Sequence, residues 1–273
     1  MDRLSGRVAV VTGAASGIGR HTALALAARG AHLGLVDRDG TGVEATATEV
    51  RALGVRASVH VADVAAADRW VTLAAEVGEV HRGCHLLVNN AGVTSAGRFE
   101  DEDPSDIGWI VDINVWGVVH GCRAFLPLLR RADQAHIVNV SSMVGLLGLP
   151  RNATYALTKG AVRSFSEALR AELVTSNIGV TTVFPGAINT NIMAAARGAE
   201  RERLAAMGRS RLAPVALTSP ARVAARIVRA VERDRARVVV GVDAHLVDVL
   251  ARILPGRAGL LGRALDRLAP PPC

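Results

Sequence analysis

Short apolar runs alternate with helical stretches along most of this chain, and that alternation limits the fold more than any other feature. Arg7 to Thr12 (RVAVVT) reads as a strand, Ile18 to Arg29 as an alanine- and leucine-rich helix, and His32 to Val36 as a second strand. The pattern continues with a helix from Gly42 to Leu53, a strand from Ala57 to Ala62, a helix from Ala65 to Val80 and a strand from Leu86 to Val88. Pro104 to Arg130 then reads as one long helix, followed by a strand from His136 to Val140, a helix between Asn152 and Asn177, and a strand from Val180 to Phe184. A helix from Pro220 to Arg233 and a strand from Arg237 to Gly241 complete the series. Apolar strands joined through helices by short loops make a parallel sheet covered on both faces. The expected fold is therefore α/β, as one domain over residues 1–241, with neither an internal repeat nor a dividing linker. Half of the 273 residues are hydrophobic, enough for one such core.

Ligands of these sheets bind beyond the carboxyl ends of the strands. The first strand runs into Thr12-Gly13-Ala14-Ala15-Ser16-Gly17-Ile18-Gly19. Glycines there let the backbone approach a pyrophosphate, and the free N–H groups of the following helix face its charge. Asp37 closes the second strand, eighteen residues after Gly19. That distance suits a carboxylate that meets a ribose 2′-hydroxyl and repels a 2′-phosphate, which favours NAD over NADP. Arg38 follows at once and leaves NADP open, since an arginine can pair with that phosphate. Asp63 and Asn90 also fall at strand ends, where Asp and Asn are common turn residues as well.

The chain has one tyrosine, Tyr155, and one lysine, Lys159, every other fixed cation being arginine. Four residues apart on a helix, the two side chains share a face. A nearby cation favours the phenolate. Bringing a phenol from about 10 to near neutrality takes roughly 4 kcal/mol, which a partly buried lysine and a positive cofactor together supply in this reading. Arginine does not replace lysine where a compact, rotatable ammonium is needed, so a lone lysine beside the lone tyrosine points to acid–base chemistry. Asn114 sits in mid-helix, where an asparagine amide competes for backbone hydrogen bonds; it suggests a helix bulge that holds a water.

The net charge is +7, but the arginines are scattered and aromatics make up only 3% of the chain, which argues against a nucleic-acid face. Cys84, Cys122 and Cys273 match neither a zinc spacing nor a disulfide framework, so no metal is expected and a reducing, cytoplasmic setting is. No leader-like segment precedes the first strand, and no apolar run approaches the roughly eighteen residues that suggest a membrane span.

Taken together, Thr12-Gly13-x-x-x-Gly17-x-Gly19, Asn89-Asn90-Ala91-Gly92, Asn114, Ser142, Tyr155-x-x-x-Lys159 and Pro185-Gly186 resemble the short-chain dehydrogenase/reductase family in order and spacing, over residues 5 to about 241. The resemblance implies a Rossmann-like, doubly wound sheet of strand order 3-2-1-4-5-6-7. It also implies hydride transfer between NAD(P) and an alcohol or ketone. Carried onto this chain, Tyr155 is the general acid/base, Lys159 lowers its pKa and binds the nicotinamide ribose, and Ser142 polarises the substrate carbonyl. Asn114 holds a water in a proton relay. Gly13, Ser16, Gly17, Ile18 and Gly19 line the pyrophosphate; Asp63 and Val64 the adenine; Asn90, Ala91 and Gly92 the ribose. Pro185 and Gly186 open the loop in which Ile188 and Thr190 meet the nicotinamide. A homodimer or homotetramer is implied too. The competing function is a non-enzymatic regulator that senses the dinucleotide on the same fold.

Two stretches leave choices open. Ala194 to Leu217, rich in arginine and alanine, resembles a mobile flap within about residues 190–217. Residues 242–273 extend past the family pattern, with Leu246, Val249, Leu250, Ile253 and Leu254 at helical spacing and a second leucine stripe from Leu260 to Leu268. Packing on the domain or a sister subunit, a lid over an apolar substrate pocket, and contact with a membrane surface are all compatible with this extension. Met193, Met207 and the leucines suggest an apolar substrate.

Overall fold

The computed structural model describes residues 4–188, 192, 195–202, 218–254, 256 and 259. Seven strands form one sheet in the order β3-β2-β1-β4-β5-β6-β7. They are β1 (Val8–Thr12), β2 (His32–Asp37), β3 (Ala57–Val61), β4 (Leu86–Asn89), β5 (Ala135–Val140), β6 (Ile178–Pro185) and β7 (Arg237–Val240). Every pairing is parallel. The central strand β1 is buried along its whole length, and its alternate side chains enter two different cores. Ala9 and Val11 pack under α1 (Gly17–Ala27), α2 (Gly40–Ala52) and the later helix Pro220–Glu232. Val8 and Val10 pack on the opposite face, under α3 (Ala67–His81) and the helices that follow β4. This double burial explains why the strands are continuous apolar runs rather than alternating ones.

From β1 the chain winds outward to β3, then returns to place β4 on the other side of β1. The reversal opens a crevice beyond the carboxyl ends of β1 and β4. Thr12 and Asn90 stitch its floor: Thr12 Oγ1 accepts from the Asn90 and Ala91 amides at 3.0 Å each, and Asn90 Nδ2 donates to Thr12 O at 2.9 Å.

The long helix expected from Pro104 to Arg130 is three pieces. These are α4 (Pro104–Val111), a π-helical turn (Asp112–Trp116) and α5 (Gly117–Arg131). Asn114 lies within the π turn with no exposed surface, in line with the bulge expected there. Gly117 follows it because the backbone runs against Val64, whose Cγ2 would lie 3.0 Å from any added Cβ. Helix α6 (Ala153–Glu172) then carries Thr154, Tyr155, Thr158 and Lys159.

The helix Pro220–Glu232 is α7, started by Ser219, whose Oγ accepts from Arg222 N at 3.3 Å. The last described helix, α8 (Val242–Ile253), packs on β7 and on the short turn Met143–Gly145. Only Ala244 of α8 is buried; Leu246, Val249 and Ile253 are exposed at 60%, 49% and 69%. The apolar stripe read in the sequence therefore does not cover the domain, although Leu250 and Leu254 are half-buried. Its second, leucine-rich half lies outside the described residues. Among the described residues no helix is long and apolar enough to cross a membrane.

Candidate active site

The crevice holds a cavity of about 480 Å³ that draws residues from the ends of β1 to β6. Sheet order sets its polarity. Asp37 and Arg38 at the end of β2, with Asp63 and Val64 after β3, line one end; Ser142 after β5 and Pro185, Gly186 and Ile188 at the end of β6 line the other. Gly13, Ser16, Gly17 and Ile18 lie between them, as do Asn90, Ala91 and Gly92. Gly19 and Asn114 stand behind the wall, and Thr190 lies outside the described residues.

The glycine turn fits tightly. A Cβ on Gly19 would lie 2.0 Å from Gly13 O, so only glycine lets α1 start this close to the turn. Ser16 precedes α1 without capping it through its side chain, and no acid occupies the first turn. The helix end is thus free to meet an anion. Asp37 faces the turn: Oδ2 accepts from Ala15 N at 2.9 Å and Oδ1 from Asp39 N at 3.0 Å. It shapes the glycine turn while its carboxylate lines the cavity.

At the opposite end, Ser142 and Tyr155 both line the cavity, and Lys159 Nζ stands 5.8 Å from the centre of the Tyr155 ring. Lys159 Nζ donates to Val140 O at 3.1 Å, and Ser141 Oγ donates to Lys159 O at 2.7 Å, locking α6 to the end of β5. The Asn114 amide is occupied by protein: Oδ1 accepts from Val93 N at 2.8 Å, while Nδ2 donates to Val93 O at 2.9 Å and to Thr158 Oγ1 at 3.1 Å. Asn114 thereby braces the loop after β4 against α6. Gly92 leaves the gap between Asn114 Oδ1 and Lys159 Nζ, 3.1 and 3.2 Å from where its Cβ would stand.

The short chain dehydrogenase family model matches residues 7–201 of this sequence. The chain belongs to the short-chain dehydrogenase/reductase family. A Mycobacterium tuberculosis protein named as an oxidoreductase, SadH, is 41% identical over 261 residues, covering 93% of each chain. The crystal structure of a short-chain dehydrogenase/reductase from Burkholderia phymatum in complex with NAD superposes with a TM-score of 0.85 at 30% identity, over 96% of this chain and 97% of that one. A metagenomic short-chain oxidoreductase in complex with NADP gives a TM-score of 0.71 at 29% identity, over 86% and 97%. The protein is an NAD(P)-dependent dehydrogenase of this family, which acts on small molecules.

In the cofactor-free protein desolvation pushes the Tyr155 phenol up to about 12, with Ser142 opposing the rise. The same burial lowers Lys159 to about 8, which weakens the cation that was to act on the phenol. Lys159 is 3% exposed, so its charge is costly in the folded state. Its folded pKa lies below the unfolded value of 10.5, so between those values the unfolded chain holds the additional proton and stability rises with pH. Replacing Lys159 with Met removes this dependence. The stability gap between the variant and the wild type should shift by roughly 3 kcal/mol from pH 7 to pH 10.5, the variant gaining most at pH 7. Denaturant melts of both cofactor-free proteins at the two pH values measure it, other titrating groups cancelling in the comparison.

Sequence reasoning missed part of the cavity wall near Tyr155. Val93, Thr94, Met143, Val144, Leu149, Ile192 and Ala195 complete the cavity there, with no motif to mark them. The described part of the expected flap is fastened: Arg197 N donates to Thr94 O at 3.2 Å, Ala96 N donates to Arg197 O at 3.0 Å, and the Arg197 guanidinium lies 4.0 Å over the Trp109 ring. Most of the flap, including Met193 and Met207, lies outside the described residues. Glu102 accepts from Ser95 Oγ at 3.1 Å and from Thr154 Oγ1, tying the start of α6 to the loop after β4.

Proposed function

We propose that this dehydrogenase interconverts a largely apolar secondary alcohol and its ketone, with Tyr155 as the general acid/base. The observation that carries the reading is the meeting of Ser142, Tyr155 and Lys159 at a cavity end whose other walls are mainly Val93, Met143, Val144, Leu149 and Ile192. A secondary alcohol placed there meets a hydroxyl pair on one side and hydrocarbon elsewhere. The glycine cradle, the uncapped start of α1 and the Asp37 carboxylate fit a nicotinamide dinucleotide. Bound there, the cofactor would supply a hydride acceptor or donor.

The protein's own part is proton handling and orientation. Tyr155 takes the hydroxyl proton as the alcohol loses its hydride and returns it to the carbonyl oxygen in the reverse direction. Ser142 donates to the same oxygen, where charge develops. Lys159 stabilises the phenolate and donates to the cofactor ribose, with Val140 O fixing its direction. Asn114 sets the geometry of α6 and the loop after β4, and a water beside it would link Lys159 to solvent. Asp37 favours NAD, and Arg38, exposed at the mouth, would accept the NADP phosphate if that cofactor were used. The domain spans residues 1–241, and the exposed stripe of α8 suits a sister subunit or a membrane surface.

The test is turnover on a panel of secondary alcohols and ketones of rising apolar bulk, read by nicotinamide absorbance with either cofactor. Activity that increases with apolar bulk is expected. Tight cofactor binding with no turnover anywhere in the panel would favour the sensing regulator instead.

A further inference from the structure

The loop after β6 is held from behind by the C-terminal part of the chain. Gly186 N donates to Val240 O at 2.9 Å and Thr218 N to Ala187 O at 3.0 Å. Ala187 N donates to Asp243 Oδ2 at 2.6 Å. Of these three bonds, only the last depends on a side chain. It is also the one with a charged acceptor, which makes it the strongest in kind.

Asp243 sits in the first turn of α8, where the helix N-terminus favours a negative charge. Its carboxylate occupies space that two glycines leave open. A Cβ on Gly186 would stand 2.1 Å from Asp243 Oδ1, and one on Gly241 would stand 2.4 Å from the same oxygen. Gly241 has φ +116°, a conformation other residues rarely adopt, so the turn into α8 is shaped around this carboxylate. The loop it grips lines the cavity with Pro185, Gly186, Ala187 and Ile188, on the side of Tyr155 and Lys159. Asp243 itself is not part of the cavity wall, and it lies beyond the residues 7–201 that the family model matches.

We propose that Asp243 is a positioning residue for the nicotinamide half of the cofactor site. It fixes the Pro185–Ile188 backbone against the cavity and makes α8 part of the ligand-binding apparatus. The proposal rests on reading the cavity as a dinucleotide site. Any looseness in this loop would be felt at the ring end of the ligand, because the adenosine end is built from β1, β2 and β3, on the other side of the sheet reversal.

Calorimetry on the full chain with NADH and with ADP-ribose, which lacks only the nicotinamide ring, separates the two halves. In Asp243→Ala, NADH affinity should fall about tenfold, while ADP-ribose affinity stays within about twofold of the wild type. Asp243→Asn keeps an oxygen acceptor and should recover most of the loss. Hydrogen exchange at the Ala187 amide should be faster in the Ala variant, with thermal melts confirming that both variants fold. Unchanged NADH affinity in Asp243→Ala, or equal losses for both ligands, overturns the proposal alone. A wild type that binds neither ligand overturns the dinucleotide reading and the proposal with it.

Discussion

Tyr155→Phe should lower kcat by about a thousandfold and leave the cofactor dissociation constant within about twofold of the wild type. The change removes one oxygen and keeps the ring, so the half-buried packing of Tyr155 on α6 survives. What is lost is the proton carrier beside Ser142 in the cavity wall. The phenol starts near 12 in the cofactor-free protein, so the rate of the oxidation direction should climb with pH as the phenolate becomes available. A midpoint well below that of the cofactor-free protein would report what the bound cofactor and Lys159 add together. Single-turnover kinetics with saturating cofactor, from pH 6 to pH 10, separate this from binding. Residual turnover within tenfold of the wild type would remove Tyr155 from the mechanism.

Asp37→Ala should weaken NADH binding by about ten- to a hundredfold, the range expected when hydrogen bonds to a charged group are lost, and NADPH binding far less. The structure gives the carboxylate two tasks. It faces the cavity, and it also receives the amides of Ala15 and Asp39. The Ala variant loses both, whereas Asp37→Asn retains an acceptor for the turn and loses the charge that repels a 2′-phosphate. Titrating both cofactors into both variants distinguishes the two tasks. If the Asn variant gains NADPH affinity while keeping its fold, the charge sets the preference and Arg38 supports the phosphate. A wild type that already prefers NADPH would mean that Arg38 outweighs Asp37.

The sheet and most of the candidate site were legible because their signals are local. Strands buried on both faces are unbroken apolar runs, and glycines with a tight spacing mark a turn that must approach another backbone. A tyrosine and a lysine four apart show their shared face without any knowledge of the rest. Asn114 was legible as a misfit in its helix, and the misfit is a π turn. The parts that could not be read depend on what packs against what. The direction of the Tyr155 pKa follows from burial, which the spacing of two residues does not reveal. Asp243 looks like an ordinary acid in the first turn of a helix until β6 is seen beside it. The stripe of α8 has the period of a buried helix and yet stays largely exposed, because periodicity reports a face and not its partner.

All seven strands pair in parallel, and no two neighbours can join without an intervening crossover. Contacts of that kind lie far apart in sequence, and chains dominated by them reach the folded state slowly. The same geometry scatters the cavity wall from Gly13 to Ile192 and Ala195, so no fragment of the chain carries a usable site. Ligand that binds only the finished sheet adds its free energy to the stability of the whole domain, in proportion to the logarithm of its concentration. A dinucleotide that binds only the finished sheet would thus stabilise every strand of it at once, including those that never touch the ligand.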